Sequence, residues 1–252
     1  DDFMQTGEID SLNLIYSPNE RSSLGNIGAT QSKLLISLFE NVSGKAFAFA
    51  WDGQEWTSEA LDFLAAGSIH IGATDDKEEE AFIITDGFLT PSTTWLYNTA
   101  TKEKRQAKSL PAWFDASSMV VEQFEAASSD GTLVPYFVVR AKNCELNGKN
   151  PTLLYGYGGF EVSLNPSYAA IRGKLWLEQG GVYVQANIRG GGEFGPKWHQ
   201  AGLKTNRQVI YDDFIAVAED LIDKKITSPK HLGIQGGSNG GLLVGVMFTQ
   251  RP

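Results

Sequence analysis

Gly236-Gly237-Ser238-Asn239-Gly240-Gly241 stands between Leu232-Gly233-Ile234-Gln235 and Leu242-Leu243-Val244-Gly245-Val246-Met247. The first flank reads as a short buried strand and the second as the opening of an apolar helix. A serine in G-x-S-x-G at a strand-to-helix junction has the form of a nucleophile elbow on an α/β-hydrolase sheet. The glycines have a physical role there: the turn is too tight for bulky flanking side chains, and Ser238 must project its hydroxyl above the sheet edge. The helix that follows aims free N–H groups and its positive dipole end at the place where an oxyanion would form. The bland alternative is a glycine-rich turn with a solvated serine; the strand before and the helix after favour the elbow.

Upstream of the elbow, strand and helix alternate. Pro151–Tyr155 reads as a buried strand ending in Gly156-Tyr157-Gly158-Gly159-Phe160. Lys174–Gln179 has helical spacing and stops at Gly180-Gly181. Val182–Asn187 is a strand opening into Ile188-Arg189-Gly190-Gly191-Gly192. A helix over about 207–225 lines up Ile210, Phe214, Val217, Leu221 and Ile222 on one face. This order predicts a mostly parallel sheet with helices on both faces. Before it, Glu122–Gly131 and Leu133–Arg140 read as a hairpin turning at Asp130-Gly131.

Residues 1 to about 112 have a different character. Lys33–Phe39, Lys45–Trp51, Glu80–Thr85 and Thr93–Asn98 are apolar or alternating runs bounded by Asp52-Gly53, Asp86-Gly87 and Pro91-Ser92. Short strands at this spacing suggest a sandwich, barrel or propeller, and Thr94–Lys102 looks like the outer strand and turn of a propeller blade. Asp75–Glu80 is a charge run that reads as a solvated loop.

Composition narrows the classes. Of 252 residues, 42% are hydrophobic and 20% charged, an ordinary globular balance. A net charge of −9 with no basic stripe argues against nucleic acid as a partner. No run of roughly 18 apolar residues exists to span a bilayer. The single cysteine, Cys144, rules out an internal disulfide and is compatible with a reducing compartment; the cytoplasm is the expected location, with the periplasm open. A start at Asp1-Asp2-Phe3 and a stop at Pro252 suggest an internal fragment. A partial sheet of that kind would expose an edge and an apolar face, and poor solubility in isolation is expected.

Acyl transfer by serine needs a nucleophile, a base, a group orienting the base, and oxyanion donors. Ser238 is the candidate nucleophile. The backbone N–H of Asn239 is one candidate donor, and the Gly156–Gly159 loop, where Tyr157 offers a phenolic O–H, stands in the place of the second. The base is missing. His70, His199 and His231 are the three histidines, and all precede Ser238, whereas this architecture orders Ser, Asp or Glu, then His. His199 reads as a structural histidine. Arg189–Gly195 has the look of a phosphate-cradling loop but lacks its G-K-[ST] ending. Asp212-Asp213 suggests a charge pair near a helix N-terminus rather than a metal site. No metal or organic cofactor is expected.

Taken together, Tyr155–Phe160, Ala186–Gly195, Asp212-Asp-Phe214, Thr227–Lys230 and Gly236–Val244 make the sequence resemble the prolyl oligopeptidase family of serine peptidases. Val217 stands where the family's signature carries alanine, a swap on a helix face that touches nothing catalytic. The resemblance implies an all-β propeller fragment followed by an α/β-hydrolase fold incomplete at its C-terminus. Residues 1–112 would be the C-terminal blades and 113–252 the first part of the catalytic domain. It also implies Ser238 as nucleophile, the Asn239 N–H and Tyr157 hydroxyl as oxyanion donors, and Phe160 and Val162 as substrate-site residues. The triad Asp and His, a proline-stacking tryptophan and a carboxylate-binding arginine would lie beyond Pro252. The implied activity is cleavage of short peptides after proline by a cofactor-free enzyme, monomeric when complete, with the propeller as a size filter. A relative cleaving after basic residues, or an inert truncated binding module, are the alternatives.

Overall fold

The computed structural model describes residues 6–7, 13–63 and 67–252, so parts of the β-rich half expected over 1–112 lie outside the described residues. The first sheet is a meander of β1 (Ser22–Ala29), β2 (Leu34–Glu40), β3 (Ser43–Trp51) and β4 (Trp56–Ala60), each antiparallel to the next. The second repeats it with β5 (Ser68–Thr74), β6 (Glu80–Gly87), β7 (Thr90–Asn98) and β8 (Lys104–Ser109). Two four-stranded meanders in sequence order are propeller blades. Alternation drives them together: Leu35, Ala46 and Ala48 of the first share one core with Ile69, Ile71, Ala81 and Ile83 of the second. The segment expected to hold the outer strand begins instead in β7, the third of its blade. The outer place belongs to β8, whose residues are too polar to announce a strand.

The third sheet carries the elbow. Its strands are β9 (Met119–Ala127), β10 (Leu133–Ala141), β11 (Thr152–Tyr155), β12 (Val182–Ala186) and β13 (Leu232–Gln235), in the order β13-β11-β12-β10-β9. β11 runs parallel to both β12 and β13, while β10 is antiparallel to β12 and to β9. The sheet is therefore evenly mixed rather than mostly parallel. The Asp130-Gly131 hairpin forms as expected, but its β10 arm docks directly onto β12. The elbow strand also differs from expectation: β13 is an edge strand among the described residues, with Leu232 and Ile234 only half buried.

Helices cover both faces. α1 is an α-turn over Ala170–Arg172 that passes into a π-helical turn over Gly173–Leu177, marked by Glu178 N donating to Gly173 O. α2 (Pro196–Gln200) is short, α3 (Gln208–Asp223) is the long amphipathic helix, and α4 (Asn239–Gln250) follows the elbow. On one face Tyr136, Val138, Leu154 and Val184 pack against Phe214, Val217 and Leu221 of α3 and Leu243 and Met247 of α4. On the other, Phe137, Val139 and Tyr183 meet Leu177, Phe114 and two residues from the blades, Val42 and Phe88. The blades and the sheet thus share a core. Polar ties reinforce it: Ser68 Oγ donates to Pro166 O at 2.7 Å and Tyr168 N to Asp86 Oδ1 at 2.8 Å.

Candidate active site

The parallel register of β11 and β13 sets Tyr155 beside Gln235. The chains leaving the two strands, Gly156–Phe160 and Gly236–Asn239, therefore emerge side by side at the carboxyl end of the sheet, the end where α/β folds place ligands. Ser238 ends this turn with φ 52° and ψ −115°, a left-handed backbone that a non-glycine residue adopts at a cost of about 1–3 kcal/mol. Its side chain is exposed. A Cβ on Gly236 would lie 2.2 Å from Gly240 O, so the turn admits no side chain there. Gly240 N and Gly241 N bond back to Gly237 O and Ser238 O at 2.7 and 2.9 Å. No such bond occupies the N–H of Asn239 among the described residues.

The Asn239 side chain reaches across to the neighbouring loop. Its Nδ2 donates to Tyr157 O at 2.6 Å and to Gly158 O at 3.0 Å, and its Oδ1 accepts from Arg207 Nη2 at 2.5 Å. Ser238, Asn239 and Tyr157 are thus gathered at one end of the sheet, beyond two neighbouring strands. Beyond them Phe160 and Glu161 both have positive φ, 55° and 58°. Phe160 is 75% exposed and Val162 43% exposed, with Val162 N closing a turn onto Gly159 O.

The glycine-rich stretch after β12 is not a phosphate cradle. Arg189 in it is buried and paired with two aspartates. Nε and Nη2 fork onto Asp213 at 2.9 and 2.6 Å, while Nη1 reaches Asp130 Oδ2 at 2.5 Å. Ser128 Oγ also donates to Asp213, at 2.6 Å. Asp213 is therefore no helix-terminus charge; it is fully buried and ties α3 to this loop. Burial opposes the Arg189 charge, but its hydrogen bonds to Asp213 and Asp130 outweigh that and hold it above its ordinary value. The Arg189 hydrogen bond likewise holds the Asp130 carboxyl well below the usual range.

Glu193, in the same stretch, is almost fully buried. Its Oε1 accepts from Leu164 N and Asn187 Nδ2 at 3.0 and 3.2 Å, while Oε2 has no partner among the described residues. Burial pushes its carboxyl up to about 7.

No histidine hydrogen-bonds Ser238 among the described residues. His199 Nδ1 lies 2.7 Å from Gly190 O and 3.1 Å from Glu161 N, a structural role as expected. His231 Nδ1 pairs with Ser228 Oγ at 2.9 Å. His70 lies on β5 with its ring 5.8 Å from that of Phe39; burial lowers its pKa, opposed by Asp86. Among the described residues no three His, Cys, Asp or Glu side chains gather as metal ligands. Sequence reasoning passed over Arg207 and the pairings of Arg189 and Glu193. Only their distant partners give these residues meaning, and a linear reading cannot supply those.

Propeller blades leading into an α/β sheet, with a strained serine at a strand-to-helix turn, define the class of propeller-bearing α/β-hydrolases. The profile of the prolyl oligopeptidase family matches residues 166–252. An uncharacterised peptidase of Sinorhizobium fredii is 50% identical over 239 residues, covering 95% of this chain and 33% of that protein. A prolyl endopeptidase of Elizabethkingia meningoseptica is 41% identical over 193 residues, 77% of this chain and 27% of that protein. The structure of a post-proline cleaving enzyme from Rickettsia typhi superposes with a TM-score of 0.88 at 40% identity, over 98% of this chain and 36% of that one. The chain belongs to the prolyl oligopeptidase family. It spans about a third of the length of the curated relatives it matches.

Proposed function

We propose that the whole protein is a serine endopeptidase that hydrolyses short peptides on the carboxyl side of proline through an acyl-enzyme on Ser238. Residues 1–112 serve as its last propeller blades and 113–252 as the first part of its catalytic domain. One observation carries the reading: the β11–β13 register lays the Tyr157 loop against the Ser238 elbow. In the acylation step a base takes the Ser238 proton while Oγ bonds to the scissile carbonyl carbon. The carbonyl oxygen becomes an oxyanion, received by the Asn239 N–H and the Tyr157 hydroxyl. Collapse breaks the C–N bond, and the base returns its proton to the leaving amine. Water then releases the acyl group by the same route. Phe160 and Val162 wall the substrate, and the propeller limits its size.

His199 and His231 are hydrogen-bonded to groups other than Ser238, and His70 lies on a blade strand against Phe39, which supports a base and orienting aspartate drawn from sequence outside residues 1–252. The names of relatives at about 40% identity favour proline over basic residues at the cleaved bond. No metal or cofactor enters this chemistry. The cytoplasm is the proposed compartment and the monomer the proposed working form.

The test is turnover of Gly-Pro and Arg-Arg reporter peptides by the full-length protein and by Ser238→Ala. The expected result is preference for Gly-Pro and a loss on the order of a million-fold in the variant. Preference for Arg-Arg would move the protein to the basic-cleaving branch. A full-length protein without hydrolytic activity would favour a binding module.

A further inference from the structure

Arg207 lies immediately before α3, half-buried, and carries no role in the chemistry above. Its two ends are nonetheless committed. Nε donates to Tyr211 Oη at 3.0 Å, one helical turn along, and Nη2 donates to Asn239 Oδ1 at 2.5 Å. The Asn239 amide is then fully specified. Its oxygen has a cationic donor, and its two N–H groups have the carbonyls of Tyr157 and Gly158 at 2.6 and 3.0 Å. Rotating the amide by half a turn would set N–H against guanidinium and oxygen against two carbonyls, so the arginine fixes which way it faces. The seat is also close: a Cβ on Gly159 would stand 2.5 Å from Asn239 Nδ2.

The segment so held has no regular structure of its own. Gly156–Gly159 follows the end of β11 as coil, with Gly158 at φ 61°. α3, by contrast, is anchored to the sheet by Ile210, Phe214, Val217 and Leu221. We propose that Arg207 is a positioning residue for acyl transfer: anchored on α3, it orients the Asn239 side chain, which pins the loop that presents Tyr157 to the oxyanion. The inference rests on the function proposed above. It separates two duties of Asn239, whose backbone N–H faces the reaction while its side chain holds the second donor's loop.

The effect is expected in turnover, because a misplacement of about 1 Å costs on the order of 100-fold and loss of an oxyanion donor about 100- to 1,000-fold. In the full-length protein Arg207→Ala should lower kcat by roughly 10- to 100-fold with KM within about threefold. The inhibition constant of a peptidyl-proline aldehyde reads the oxyanion site directly. Ser238 Oγ adds to its carbonyl carbon as the Ser238 proton passes to the base, and the former carbonyl oxygen, now an oxyanion, occupies that site, so this constant should rise by the same factor as kcat falls. Arg207→Lys, which keeps one donor for Asn239, should recover most of the loss. Arg207→Met, which keeps the stem without the donors, should not, and it serves if the alanine variant fails to fold. On an Asn239→Ala background, which keeps the backbone N–H, Arg207→Ala should cost almost nothing further. Wild-type kcat in both Arg207→Ala and Arg207→Met, a kcat loss not mirrored in the aldehyde constant, or an undiminished loss on the Asn239→Ala background would each overturn the proposal. Turnover persisting in Ser238→Ala is a separate result, which would remove the nucleophile assignment instead.

Discussion

Arg189 and Asp213 meet as a two-pronged ion pair, Nε to Oδ2 at 2.9 Å and Nη2 to Oδ1 at 2.6 Å, with side chains 7% and 0% exposed. Asp213 Oδ2 also accepts the backbone N–H of Arg189, at 3.0 Å. The pair joins the loop after β12 to α3, the helix that Arg207 immediately precedes. Removing either partner leaves a charge buried with half its compensation gone.

Asp213→Ala should therefore destabilise the protein by about 3–5 kcal/mol. Asp130, the second carboxylate on Arg189, is 45% exposed, and water can replace it. Asp130→Ala should cost under about 1 kcal/mol. Denaturant unfolding of the two variants checks the order, and equal losses would contradict the assignment of Asp213 as the buried member.

Glu193 gives a pH dependence of the opposite sign to the salt-bridged Asp130. Burial raises its carboxyl from an ordinary value of 4.5 to about 7 in the folded state. The folded protein thus holds the proton more tightly than the unfolded chain. The associated stability is complete below about pH 4.5 and is lost as pH rises through about 7, by on the order of 3 kcal/mol. Glu193→Gln keeps an acceptor for Leu164 N and Asn187 Nδ2 and never ionises. The stability difference between Glu193→Gln and wild type should widen in the variant's favour from pH 5 to pH 8. A difference flat across that range would show that Glu193 titrates normally.

Much of this was legible in the sequence, for identifiable reasons. Strands such as Glu80–Gly87 alternate because one face is buried, and α3 shows its 3.6-residue period because it lies on a sheet. The elbow announces itself because a left-handed serine between close-packed backbones demands glycines around it. The exposed β4 and β8 gave no alternation to read. The antiparallel docking of β10 on β12 was hidden because a hairpin's outer pairing is not encoded in its own turn. Asp213 looked like a surface charge because its partner sits 24 residues earlier in sequence.

Phe88, in the tight connection between β6 and β7, lies 5.3 Å from the ring of Phe137 and 6.1 Å from that of Tyr183. A blade residue thus fills part of the core of the third sheet. Phe88→Ala should cost about 3–5 kcal/mol. Because its partners lie on β10 and β12, hydrogen exchange should quicken in those strands as well as in β6 and β7. Faster exchange confined to the blade would mean that the two units do not share a core.

β13 leaves one side of the sheet unpaired among the described residues, and the apolar groove beside it is lined by Ile215, Ile222, Leu232, Ile234, Met247 and Phe248. Phe248 is 67% exposed and Leu242 51%. An open strand edge next to an apolar groove invites pairing with another chain. A polypeptide of residues 1–252 produced alone should self-associate with rising concentration, as followed by light scattering, and bind an apolar dye. Phe248→Lys, which puts a charge at the groove without touching the buried Leu243 and Met247, should reduce both signals. A monomer at every concentration, silent to the dye, would mean that this face is covered by contacts the groove geometry does not reveal.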